Sequence, residues 1–165
     1  MFELKRISSA SIPRALARVE RYRLLQEPEQ AESICLDILQ ADPDNDQALV
    51  WLLLSLTDQF HHGLSGCVQR ARDLLPRLGT EYEQAYYAGI IAERCARAHL
   101  LRAMPGSGYG AYEEFTEAMA WYEKAERVRP AGNDDALLRW NTCARAIEMH
   151  RLEPAPVGSV EYPLE

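Results

Sequence analysis

The feature that most limits how this chain can fold is a pattern that occurs three times: Ala31-Cys35-Ile38-Pro43, Leu64-Val68-Ala71-Pro76 and Ala118-Tyr122-Ala125-Pro130. Steps of four and three place the first three residues of each set on one face of a helix, and the proline five residues later stops that helix. Leu64 follows Ala31 by 33 residues, and Ala118 follows Leu64 by 54. A recurrence of this length marks units that bury their apolar faces against neighbouring units rather than alone.

The residues between these anchors supply the partner helices. Ser11 and Pro13 start a helix carrying Leu16, Val19 and Tyr22, and Glu27-Pro28 ends it. Pro28 fits the first turn of the next helix, whose apolar face is Ala31, Ile34, Cys35, Ile38 and Leu39. Asp42-Pro43-Asp44-Asn45 is a turn that caps a third helix with Ala48, Leu49, Leu52, Leu53 and Leu56, and His61-His62-Gly63 separates it from a fourth. From Glu81 to about Arg102 only Gly89 interrupts, so this helix is expected to be several turns longer than the others. The stretch 104–110 reads as a turn, with the next helix beginning near Ala111. After Pro130, Gly132-Asn133-Asp134-Asp135 is a turn with acidic caps before a last helix carrying Ala136, Leu137, Trp140, Ala144 and Ile147. Beyond Leu152, three prolines predict an extended tail.

The spacing of small residues and proline resembles the second helix of a tetratricopeptide repeat, with Ala118-Tyr122-Ala125-Pro130 the best match. The resemblance covers roughly residues 12 to 150. It implies an all-α fold, a right-handed α-solenoid of about three helical hairpins plus a C-terminal capping helix. The expected boundaries are an N-terminal segment 1–11, a repeat domain 12–152 (repeats about 12–45, 46–79 and 80–132, capping helix 134–151) and a tail 153–165. The third repeat exceeds the family period by about 20 residues, which makes it an elongated hairpin.

In that family the first helix of each repeat lines a concave groove. Carried over, this implies a partner-binding wall of Val50 and Leu54, then Tyr86, Ile90, Glu93 and Arg97, then Leu138, Thr142 and Arg145. Such a wall suits a peptide or helical segment with acidic groups, so the function implied is that of a protein-interaction adaptor. The alternative is a self-associating homo-oligomeric scaffold, and the third reading is a metal-binding or enzymatic module. The clamp that grips acidic tails of heat-shock chaperones needs lysine and asparagine at inner positions, where Val50, Trp51 and Leu54 stand here. The tail either lies in the groove of its own or a neighbouring chain, in competition with a partner, or is a disordered terminus.

Composition narrows the partner. With 47% apolar residues over 165 positions the chain can bury a continuous core, and a net charge of −7 disfavours a nucleic-acid ligand. Lys5 and Lys124 are the only lysines among 18 basic residues. Arginine favours bidentate capture of carboxylates. Cys35, Cys67, Cys95 and Cys143 are widely spaced without paired motifs, which predicts buried reduced thiols and a cytoplasmic protein. No secretory signal or membrane span is expected.

Constellations with chemical potential are few. Cys95 and His99 have a spacing that can place two ligands on zinc, and His61, His62 and Cys67 add donors, but no second strong pair completes a tetrahedral site. Gly106-Ser107-Gly108-Tyr109-Gly110 lacks the preceding strand and following Lys-Ser/Thr of a phosphate loop. Tyr109, Tyr112, Phe115 and Trp121 offer either an aromatic anchor or packing against the long helix. The four histidines lie in no nucleophile motif. The expectation is therefore no enzyme, no cofactor and no metal.

Overall fold

In a computed structural model the described residues are 2–61, 64–102 and 104–156, and seven α-helices account for most of them. These are α1 (Ile12–Leu24), α2 (Pro28–Ala41), α3 (Asp46–Asp58), α4 (Leu64–Leu74), α5 (Glu81–Arg102), α6 (Ser107–Arg127) and α7 (Asp135–Met149). No strand occurs among the described residues. His62, Gly63 and the tail from 157 to 165 lie outside them, and with these residues most of the turn before α4 and most of the expected extended tail.

Local chemistry sets the helix ends. Pro28 occupies the first turn of α2, where its missing N–H costs nothing. Asn45 caps α3 by accepting from the Ala48 N–H at 3.0 Å, and its own amide donates to Asp42 at 2.9 Å. Gln26 and Arg151 take the left-handed conformation at the C-terminal ends of α1 and α7. Each is followed by an N–H that reaches back five residues, Glu27 to Tyr22 and Leu152 to Ile147, closing the last turn.

Two boundaries differ from the expectation. α6 starts at Ser107 rather than near Ala111, because Gly106 alone makes the reversal at φ 81° and Gly108 and Gly110 continue into the helix. A Cβ added at Gly110 would meet the His99 ring at 3.3 Å, so that glycine serves close approach to α5 rather than a turn. Before α7 the cap is Asn133, which accepts from the Asp135 N–H at 3.0 Å; Asp134 makes no side-chain cap.

Each helix packs against the next in sequence, and α1 also touches α3 as α3 touches α5. α7 reaches back to α5 through Arg139, which pairs with Glu93, and through Asn133 just before it, which accepts from the Tyr82 hydroxyl. The even-numbered helices are tied by the ion pair between Arg70 of α4 and Glu32 of α2. α5 is the longest helix, 22 residues or about 33 Å at 1.5 Å per residue. It packs most extensively on α6.

The repeated positions do what their spacing requires. Ala31, Cys35, Ile38, Ala71, Ala118, Tyr122 and Ala125 are buried, and Val68 is half-buried. They divide between two hydrophobic clusters. One joins α1 to α4 with Ile91, Cys95 and Ala98 of α5; the other joins α6 and α7 with Ala85, Ile90, Ala92 and Ala96 of α5. Leu54 and Tyr87 pack against both.

Candidate functional site

Arginines of α1, α5 and α7 gather around two carboxylates, Asp58 and Glu93. On α5, Glu93 is only 1% exposed, and its four contacts come from three helices. Oε1 accepts from Arg97 Nε at 3.1 Å and Nη2 at 3.0 Å, one turn further along the same helix. Oε2 accepts from the Tyr122 hydroxyl of α6 at 2.8 Å. Nη1 of Arg139 on α7 lies 3.3 Å from Oε1 and 3.5 Å from Oε2. A carboxylate taken out of water requires this many donors, since a buried charge without partners is strongly destabilising.

The same grouping sets the proton positions. Burial, the adjacent carboxylate charge and the hydrogen bond to Glu93 all push the Tyr122 hydroxyl up, so it stays protonated and donates. For Arg139 burial works against the charge, but Glu93 and a side-chain hydrogen bond with Tyr86 outweigh it and raise the guanidinium above its ordinary value. Arg97 and Arg139 nevertheless remain 43% and 36% exposed. Tyr86 stacks on Tyr82 with ring centroids 5.7 Å apart, adding an aromatic edge beside Arg139.

A second carboxylate plays a similar part nearer α1. Asp58 at the end of α3 accepts from Arg23 Nε at 2.7 Å and lies 3.6 Å from Arg94 Nη1. The Arg23 guanidinium stands 5.2 Å from the Trp51 ring centre. Together with Glu20, Leu24 and His61 these residues line a cleft of about 420 Å³ where α1, α3 and α5 meet.

The nine expected wall residues separate into three groups. Arg97, Leu138 and Arg145 are accessible, Leu138 at 63%. Val50, Leu54, Tyr86 and Thr142 are half-buried. Leu54 is packed between the two clusters, and the Thr142 hydroxyl donates to the Leu138 carbonyl of its own helix at 2.9 Å. Ile90 and Glu93 are buried and offer no contact surface, because α6 and α7 pack over this part of α5. Arg139, Arg23 and Arg94 take part in these ion pairs but were not among the nine. Arg139 is one position along from Leu138, and a helical wheel alone does not reveal that α5 draws it in.

The other candidate residues remain dispersed. No group of three or more metal-ligating side chains occurs among the described residues. Cys95 is buried, and desolvation first, then the Glu114 charge, pushes its thiol up to about 12, so the thiolate a metal needs is disfavoured. Cys35 and Cys143 are pushed up to about 12 chiefly by burial as well. Phe115 is fully buried, Tyr112 and Trp121 half-buried and Tyr109 exposed, so the aromatic group does not form one surface. No helix among the described residues is long and apolar enough to cross a membrane.

No protein-family model matches the chain, and neither a curated protein nor a solved structure does.

Proposed function

We propose that the chain is a tetratricopeptide-like array in which α1–α2, α3–α4 and α5–α6 are the three hairpins and α7 the capping helix. Its function in this reading is that of a protein-interaction adaptor, taking a peptide or helical segment in a concave groove along α1, α3, α5 and α7. The observation that carries the reading is the set of part-exposed arginines Arg94, Arg97 and Arg139, at 35%, 43% and 36%, each paired to Asp58 or Glu93, with the more buried Arg23 sharing Asp58. Arginines held in place lose less freedom when a partner's acidic group docks. Tyr86, beside Arg139, and the exposed Leu138 of α7 supply apolar contact. The four unpaired cysteines support a reducing, cytoplasmic setting for this role.

Affinity capture from the native host with the wild-type chain and with the Leu138→Asp, Arg145→Ala double variant tests this. Both positions are exposed, so the melting temperature should hold while capture of the specific partner falls about tenfold or more, as loss of an interface anchor produces. Capture unchanged by the double substitution would move the binding surface elsewhere. A second reading, self-association, is favoured by the exposed Leu101, Met104 and Met149. Size-exclusion chromatography with light scattering separates the two, since an adaptor without its partner runs as a monomer.

A further inference from the structure

Two guanidinium groups resting on one buried carboxylate oxygen are unusual in an otherwise acidic protein. Arg97 and Arg139 come from different helices, yet both approach Oε1 of Glu93, at 3.0 and 3.3 Å, so their forks are neighbours. An arginine has five N–H donors in a rigid plane. Arg97 commits Nε and Nη2 to Glu93, and Arg139 commits Nη1 to Glu93 and a further bond to Tyr86, which still leaves uncommitted N–H groups on both part-exposed side chains. The three charges sum to one positive, while the whole chain carries −7. Glu93 itself is too deeply buried to meet a ligand.

We propose that Arg97 and Arg139 form a receptor for a single carboxylate, the side chain of an aspartate or glutamate in a partner protein segment, with Glu93 as the internal counter-ion that holds the two forks side by side. The inference rests on the groove reading and gives its ligand a chemistry. One surplus positive charge matches one carboxylate; a phosphate dianion would overbalance it and face repulsion from Glu93 a few ångströms below. Planar forks suit a planar carboxylate, to which they donate in pairs. Tyr122 makes the arrangement rigid, because its hydroxyl fixes Oε2 from α6 and thereby the position of Oε1 under the arginines. The aromatic edge of Tyr86 lies beside Arg139, so a residue next to the acidic one in the partner has an apolar seat.

The experiment is an NMR titration of the full chain with ¹⁵N-labelled arginine, following the Nε–Hε signals. The probe is glutamate blocked at both ends (N-acetyl, N-methylamide), with the equivalently blocked glutamine as neutral control and inorganic phosphate as a second anion, all at constant ionic strength. The Arg97 and Arg139 signals should shift saturably with the blocked glutamate and remain still with the glutamine. In Arg97→Lys and in Arg139→Lys, which keep the charge but lose the fork, half-saturation should rise about tenfold. Arg97→Gln, whose amide can still donate to Glu93 but which lacks the charge and the fork, should abolish the response while circular dichroism stays helical below a lowered melting temperature. Shifts of Arg145 and Arg94 as large as those of Arg97, unchanged binding in the lysine variants, tighter binding of phosphate, or no response up to about 100 mM probe would each overturn the receptor. Such a failure leaves the groove reading standing, because that reading is decided separately at Leu138 and Arg145.

Discussion

Glu114 shows how a single side chain can carry a cost the rest of the fold absorbs. It lies on α6 with Oε2 buried and without a hydrogen-bond partner. Its carboxyl is raised above the ordinary value of 4.5, by desolvation first and then by Glu117 and Glu113, with Arg72 pulling the other way. A carboxyl that binds its proton more tightly in the folded state destabilises the fold where it is ionised, and this cost disappears as pH falls through the folded value. Glu114→Gln should therefore raise the melting temperature at neutral pH, and the gain over wild type should shrink steadily as the buffer is acidified below the carboxyl's raised range. A gain that stayed constant across pH would point to packing rather than charge. The carboxylate of Glu93 is deeper, yet four donor atoms from three residues surround it.

At the scale of helices, Gly89 decides how closely α5 and α6 approach. A Cβ at this position would meet three ring atoms of Tyr122 at 2.5 to 2.9 Å, with the ring fully buried and unable to move aside. Alanine in a helix gains about 1 kcal/mol over glycine. Overpacking costs about 1–3 kcal/mol and here outweighs that gain, since the ring is also anchored through its hydroxyl to Glu93. Gly89→Ala should lower stability in urea denaturation, whereas an unchanged midpoint would mean that the two helices separate at little cost. The bounds of α5 were legible in the sequence, because 22 residues of helix-compatible spacing contain no breaker but this glycine. The start of α6 was not. Glycines at 108 and 110 read as a turn, but Gly110 is there to let the His99 ring approach, a use that only the packed helices reveal. The wall positions Arg97, Leu138 and Arg145 followed from the family resemblance, and all three side chains reach solvent. The burial of Glu93 did not, because its partners Tyr122 and Arg139 stand 29 and 46 residues away.

On the scale of the molecule, α5 belongs to two cores. Ile91, Cys95 and Ala98 face the cluster shared with α1 to α4, while Ala85, Ala92 and Ala96 face α6 and α7, and among the described residues only Leu54 and Tyr87 border both. Opening of α1 to α4 therefore leaves α5 packed on α6, its most extensive neighbour. Native-state hydrogen exchange should find the slowest amides in α5 and α6 and a faster, separately cooperative group in α1 and α2. A single free energy of opening shared by all seven helices would refute this division. The thin seam also turns amide exchange into a ruler. A bound segment that grips only Arg97 and Arg139 bridges α5 to α7 and quiets that half alone, leaving the fluctuations of α1 and α2 untouched. One long enough to reach Arg94 and Arg23 must span the seam, and it would slow both groups together, so the reach of an unidentified ligand can be measured before its sequence is known.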